Sequence, residues 1–382
     1  MQILHAVTLI SPDAAYGGPV QVALNQAVAL RRLGHQVQVA AGVRGYRVPP
    51  TEQQGVPLVT APARFIAPGL GFASLAAPAL LRRVSWSELD LVHLHLARDL
   101  VMLPLAAAVL RYRLPYVVQP HGMLVARSNP LAPMLDLALV RRVLRGARAV
   151  FHLTEGERDA LTEVAGPGLR LVALPNGVPE YRSVEPGPAE SVPEVLYLAR
   201  LQERKRPLDF VDAGIALLDA GVRARFTLVG PDEGEGGTVG RRIAGHAGIR
   251  WTGPVPAGAG PARMRRASVF VLPAVDEPYP MAVLEAMAVG LPVVLTTGCD
   301  LADFVRDTRS GVVVEPKVAA LTTAIGDLLA DPAEARAAGE RGRSAVRDLL
   351  GMPTVARRLD GVYRAAQTAA VGGRPISVGP RR

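Results

Sequence analysis

One cysteine, Cys299, stands in a chain of 382 residues. A single thiol excludes a disulfide framework and fits a reducing compartment. Nothing around Cys299 in the sequence marks it as an activated nucleophile. Lysine is nearly as scarce: Lys205 and Lys317 are the two, so the net charge of +9 rests on arginine, scattered along the chain. Aromatic residues make up 4%, too few for the stacking surface on which single-stranded nucleic acid binding depends. No zinc-finger, homeodomain or RNP pattern occurs. These absences set nucleic acid aside. They leave a polyanionic nucleotide or an anionic lipid surface as partners for the positive charge. No unbroken apolar run spans a bilayer: Phe65–Leu81 is interrupted by Pro68, Gly69, Gly71 and Pro78 and reads as a loop. Met1–Ile10 lacks the basic start and cleavage site of a signal peptide and reads as a first strand. The chain is therefore expected in the cytoplasm.

What is present is a globular composition, with 49% hydrophobic and 20% charged residues. The length fits two domains of ordinary size. The N-terminal part alternates buried strands with helices. Ile3–Ile10 is a strand, Ser11–Pro19 a turn-rich loop carrying Gly17-Gly18, and Val20–Leu33 a helix closed by Gly34. The glycine pair lets backbone approach a ligand, but it is not the G-x-G-x-x-G dinucleotide fingerprint. Leu91–Leu96 is a strand with His93 and His95 on one face. No third metal ligand is apparent beside them, so packed histidines are the preferred reading. Tyr116–Gln119 runs into Pro120-His121-Gly122-Met123, which puts His121 just past a strand end. Leu131–Arg148 reads as a basic amphipathic helix, a candidate for peripheral contact with anionic lipid. Thr154 and Glu157 form a capping box. Ser183–Pro193 is the expected linker, after which a second α/β series begins at Val195.

The most informative stretch is Val269–Thr296, VFVLPAVDEPYPMAVLEAMAVGLPVVLT. Val269–Leu272 is β-type, Pro280 suits a helix start, Met281–Val289 is helical, Gly290 ends it and Leu291–Leu295 is the next strand. Glu277 lies in the loop and Glu285 one turn inside the helix, so both face the carboxyl ends of the strands, where open α/β sheets bind ligands. The amides of Met281 and Ala282 are free at the helix N-terminus for an anion. Two hydroxyl acceptors beside a phosphate site suggest a sugar nucleotide. Farther upstream, LYLARLQERKRPLDFVDA places Arg200 and Lys205 after a strand, a planar fork and a compact charge suited to a pyrophosphate.

Glu277-x7-Glu285 with the following AMAVGLPVV resembles the retaining GT-B glycosyltransferases, in particular family four (glycosyltransferase group 1). Arg200-Leu201 with Lys205, the PHGM and PNGV strings and the Gly17-Gly18 turn match other parts of that pattern. Ala199 departs from it, standing where the family has glycine. The resemblance implies an α/β fold, GT-B, with two Rossmann-like doubly wound domains facing across a cleft. The expected layout is residues 1–185 on the acceptor side, 193–352 holding the donor, a helix at 353–370 crossing back to the N-domain, and a basic tail at 371–382.

It also implies a hexosyl transfer from a nucleoside diphosphate sugar to a glycan or lipid-linked acceptor, in exopolysaccharide or cell-envelope synthesis. Phe65–Leu81 could serve the acceptor side. In that scheme Glu285 accepts from ribose hydroxyls and Glu277 from sugar hydroxyls, with the Met281 and Ala282 amides fixing the same region. Arg200 and Lys205 stabilise the departing diphosphate, which removes the need for a metal or other cofactor. His121 contacts the sugar, and Gly17 and Gly18 approach the phosphates or the acceptor. The alternatives are a sugar-nucleotide epimerase of the same architecture and a non-catalytic nucleotide-sugar-binding module.

Overall fold

The computed structural model describes residues 1–12, 17–124, 139–181, 192–256, 258–277 and 279–371. The chain divides into two compact units. The first comprises Met1–Gly177 and the chain from Met352 on, and the second Val178–Gly351. The outgoing and returning chains meet at the start and end of the second unit, where the Val178 amide donates to the Leu350 carbonyl at 2.9 Å.

In the first unit the elements run β1 (Gln2–Ile10), α1 (Gly17–Arg32), β2 (Gln36–Val43), β3 (Val56–Pro62), β4 (Leu91–Leu94), α2 (Met102–Tyr112), β5 (Tyr116–Val118), α3 (Arg141–Gly146), β6 (Val150–His152), α4 (Glu155–Ala165) and β7 (Leu171–Ala173). The sheet order is β7-β6-β5-β4-β1-β2-β3, with the short edge strand Glu52–Gln53 beyond β3. All pairs are parallel except that edge. A parallel sheet is covered on both faces, so its strands are apolar almost throughout. In β1 the alternation of side chains assigns Ile3 and Val7 to one face, with Leu24, Leu30, Val355 and Tyr363, and Leu4 and Ala6 to the other, with Met102 and Leu105.

The second unit repeats the plan. Its elements are β8 (Glu194–Leu198), α5 (Pro207–Asp219), β9 (Arg225–Val229), α6 (Gly236–Ile243), β10 (Ile249–Trp251), β11 (Val269–Leu272), α7 (Met281–Ala288), β12 (Val293–Thr296), α8 (Ala302–Thr308), β13 (Gly311–Val314), α9 (Val318–Ala330) and α10 (Pro332–Ala345). The order β10-β9-β8-β11-β12-β13 is wholly parallel. The last helix, α11 (Met352–Val371), packs in the first unit, with Val355, Leu359 and Tyr363 buried.

Both sheets reverse direction beside their first strand, between β1 and β4 and between β8 and β11. Ligands of doubly wound sheets bind at the carboxyl ends of the strands at such a switch point.

Three local expectations change. Helix α1 starts at Gly17, so Gly17 and Gly18 form its first turn rather than the end of a loop. Pro19 is tolerated there because first-turn N–H groups have no intrahelical partner. Of the basic helix at Leu131–Arg148, residues 131–138 lie outside the described residues. In the rest, Arg141 and Arg145 donate from Nε to the carbonyls of Val164 and Ala165, at 2.7 and 2.8 Å. Two of its four arginines therefore cap the last turn of α4. Phe65–Leu81 folds as a small hairpin, Arg64–Phe65 against Leu75–Ala76, with Leu75 and Leu80 buried. Residues 183–191 of the expected linker and the tail at 372–382 lie outside the described residues. Among the described residues no helix is long and apolar enough to cross a membrane.

Candidate functional site

In the second unit, the loops following β8 and β11 lie on either side of the switch point. After β8 the chain turns at Arg200, and Leu201 forms a bridge to Asp232. Gly230 makes this turn possible: a Cβ there would lie 1.9 Å from the Ala199 carbonyl oxygen. Ala199, which departs from the family pattern, thus contributes its backbone to the close contact. A 3-10 turn, Glu203–Lys205, follows, and Arg206 takes left-handed φ (+49°) before Pro207 opens α5.

The loop after β11 is tied to this turn. The Val275 amide donates to the Arg204 carbonyl at 3.0 Å, and Arg204 Nη1 donates to the Asp276 carbonyl at 2.9 Å and to Glu277 Oε2 at 2.8 Å. Lys205 Nζ donates to the same Oε2. Both Lys205 and Glu277 are buried. Burial lowers the Lys205 pKa, and the Glu277 carboxylate opposes that shift by stabilising the ammonium. Glu277 is itself fixed by backbone bonds on both sides, from its amide to Gly298 and from the Asp300 amide to its carbonyl. The result is a fixed cation at the end of the first strand, with Arg204 beside it. Arg204 was not among the sequence candidates. Its neighbours in RKR made it look like a solvated charge, and only the folded loop shows that it reaches Glu277.

Arg200 lies at the exposed end of the same turn and pairs with Glu233 at 3.0 and 3.1 Å. Its charge is near enough to depress the Lys205 pKa further. Helix α7 opens after Pro280, leaving the Met281 and Ala282 amides in a first turn that has no intrahelical acceptors. Glu285 lies one turn in. Burial alone pushes its carboxyl up to about 7, and no side-chain donor meets it among the described residues. Tyr181 lies close enough for Glu285 to raise its pKa. An Oε2 atom of Glu285 is 3.5 Å from where a Cβ on Gly260 would lie. Glu285 is half-buried, and a partly desolvated carboxyl without a donor is an acceptor for hydroxyl groups. Cys299 is buried and its thiol is pushed up to about 11, so it is no nucleophile.

In the first unit, His121 follows β5 with left-handed φ (+55°). Arg206, Asp276 and His121 are three of the six non-glycine residues with positive φ among those described, and all three sit in the loops above. Such backbone costs of order 1 kcal/mol and persists where the surroundings dictate it. Glu157 is one of those surroundings. Its amide donates to Thr154 Oγ1 at 3.2 Å, the first half of the predicted capping box. Its carboxylate does not return to the cap, but accepts from the Gly122 and Leu153 amides at 2.5 and 2.7 Å. Glu157 therefore holds the loop that carries His121.

His93 and His95 are joined by a third histidine the sequence did not reveal. Parallel pairing of β1 with β4 sets His5 opposite His93, 88 positions away in the chain. One ring nitrogen from each of His5, His93 and His95 lies within 4.8 Å of the others. Five of their six ring nitrogens are already engaged in hydrogen bonds, so the set as it stands is not open to a metal. His93 and His95 stack 4.4 Å apart at 15°. His5 Nδ1 and His95 Nε2 face each other at 3.0 Å in a hydrogen bond. Burial holds His5 at about 3 and His121 at about 4, and lowers His93 and His95 well below the usual imidazole range. All four rings are neutral near pH 7.

Comparison with known proteins gives consistent findings. Residues 192–331 match a family model described as "Glycosyl transferases group 1", and residues 17–177 one described as "Glycosyl transferase 4-like domain". The chain is 34% identical over 332 residues to 2-deoxystreptamine N-acetyl-D-glucosaminyltransferase of Streptomyces fradiae, covering 79% of this chain and 76% of that one. It is 31% identical to GDP-mannose-dependent alpha-(1-6)-phosphatidylinositol monomannoside mannosyltransferase of Mycolicibacterium smegmatis, covering 70% and 74%. The fold is shared with Anabaena HepE, solved in complex with UDP and glucose, at a TM-score of 0.72 and 18% identity over 95% of this chain and 99% of that one.

Proposed function

The chain belongs to the group 1 (family 4) glycosyltransferases of the GT-B fold, and from that premise we propose that it transfers a hexose from a nucleoside diphosphate sugar to a glycan or lipid-linked acceptor, with retention and without a metal. The observation that carries this reading is the buried Lys205–Glu277 pair, flanked by Arg204, at the switch point of the second unit. When the anomeric C–O bond breaks, its electron pair leaves with the diphosphate. A preorganised ammonium, with Arg200 beside it, stabilises that growing charge. Lys205 thereby does what a divalent cation does elsewhere.

Glu285 receives the ribose hydroxyls. Glu277 has one oxygen committed to Lys205 and Arg204, which leaves the other for a sugar hydroxyl. The Met281 and Ala282 amides take an anionic or hydroxyl oxygen of the same ligand. His121 contacts the sugar, and the Gly17-Gly18 turn at the start of α1 offers amides to a phosphate or to the acceptor. Of the two relatives, one is named for GDP-mannose and phosphatidylinositol monomannoside and the other for N-acetyl-D-glucosaminyl transfer and 2-deoxystreptamine. The first supports a nucleoside diphosphate donor, and the two names point to different acceptors. For this chain we favour an envelope glycan or exopolysaccharide acceptor.

The test is release of free nucleoside diphosphate from a panel of UDP- and GDP-sugars, with and without acceptor, in EDTA. Acceptor-dependent release supports transfer. Turnover of donor with the diphosphate retained on a new sugar would indicate an epimerase, and binding without turnover a non-catalytic module.

A further inference from the structure

Tyr363 of α11, His93, His5, His95 and His121 form one unbroken hydrogen-bonded chain in the first unit. Tyr363 Oη lies 2.6 Å from His93 Nδ1 and 3.3 Å from His5 Nε2. His5 Nδ1 lies 3.0 Å from His95 Nε2, and His95 Nδ1 lies 2.7 Å from His121 Nε2. His5, His93, His95 and Tyr363 are essentially inaccessible to solvent. A neutral imidazole carries one N–H and one lone pair, so fixing the proton on any one ring fixes it on all.

The His93 end of the chain sets the direction, and the Asn176 end can accept it. His93 Nε2 is buried with no partner. A proton there would be an orphaned buried donor, so the His93 proton sits on Nδ1 and donates to Tyr363 Oη. The tyrosine hydroxyl then donates to His5 Nε2, His5 donates from Nδ1 to His95 Nε2, and His95 donates from Nδ1 to His121 Nε2. At the far end, the Asn176 side chain bonds His121. Its Oδ1 takes a bond from Gln119 Nε2 at 3.3 Å and keeps a second lone pair for the His121 Nδ1–H.

We propose that Tyr363, His93, His5 and His95 are positioning residues that hold His121 in its Nδ1–H tautomer, so that Nε2 is occupied by His95 and a ligand that reaches the ring meets an N–H donor, in place of Asn176, and not a base. The ligand contact rests on the reading of His121 given above; the tautomer does not. Free imidazole favours the other tautomer, so the assignment is a demanding one.

The experiment is ring 1H–15N correlation spectroscopy of the full chain labelled on histidine nitrogen, with His121→Gln used to assign the His121 signals. The expected result in the wild type is a protonated Nδ1 and an unprotonated Nε2 on His121. A protonated Nε2 would overturn the proposal, and this readout needs no variant to fold. In Tyr363→Phe the link between His93 and His5 is cut, so an Nε2–H population should appear at His121 while the thermal transition stays cooperative. An unchanged His121 spectrum in a folded Tyr363→Phe would refute transmission from Tyr363. Failure of the sugar-contact reading would show separately, as unchanged turnover in His121→Ala.

Discussion

Replacing Glu285 by glutamine should stabilise the protein and weaken its donor binding at once. Burial raises the Glu285 carboxyl from an ordinary 4.5 to about 7 in the folded chain. Below pH 4.5 both folded and unfolded forms are protonated and the residue has no effect. As pH rises from 4.5 to 7 the unfolded form ionises first, so stability falls; above 7 the loss is complete. The gap of 2.5 between 4.5 and about 7, at about 1.36 kcal/mol per pH unit, amounts to roughly 3 kcal/mol. About 2.5 kcal/mol of this accrues between pH 5 and pH 8. For a unit of this size that corresponds to roughly 5–10 °C in Tm. Glutamine keeps the shape and removes the charge. The Tm difference between Glu285→Gln and wild type should therefore grow by that amount from pH 5 to pH 8. The same variant loses a charged acceptor for hydroxyl groups, worth about 1.5–3 kcal/mol, or roughly 10–100-fold in donor affinity. Thermal melting at the two pH values and a donor titration read the two effects. A Tm difference independent of pH would refute the account of Glu285, as would a variant that binds donor as tightly as wild type.

Lys205→Ala and Arg200→Ala should each lower turnover by roughly two powers of ten or more, as removal of a preorganised charge donor does; near-wild-type rates in both would contradict the charge assignment. EDTA should leave activity intact, and a loss restored by added Mg²⁺ would show that Lys205 does not replace a metal. Glu157→Ala leaves the Gly122 and Leu153 amides without their acceptor and should cost roughly 2–4 kcal/mol in denaturant unfolding. It should also reduce turnover through the displaced His121 loop. An unaltered midpoint would mean that Glu157 does not hold that loop.

The second unit was legible in the sequence because its site is local. Val269–Thr296 forms the strand, loop, helix and strand that its pattern predicts, with Pro280 at the helix start and Gly290 beyond its end. Glu277 and Glu285 take their places from that one unit, and Arg200 and Lys205 from the next strand's loop. The contact between Lys205 and Glu277, 72 positions apart, depends on the switch of strand order, which no local pattern encodes. Arg204 was hidden for the same reason. His5 was missed because only the parallel register of β1 and β4 brings it to His93. The Arg141 and Arg145 stripe looked like a free basic face, and helical periodicity alone gives no sign that α4 ends against it.

In this reading Lys205 and Glu285 together hold a nucleoside diphosphate without a metal. The most direct measurement is the thermal shift of wild type, Lys205→Ala and Glu285→Gln with UDP, GDP, ADP and CMP in EDTA. A ligand at about 100 times its dissociation constant adds roughly 2.7 kcal/mol. One nucleoside diphosphate should stabilise the wild type by this order in EDTA, and both variants should lose half of the shift or more. No shift with any nucleotide, or one that requires Mg²⁺, would contradict this reading.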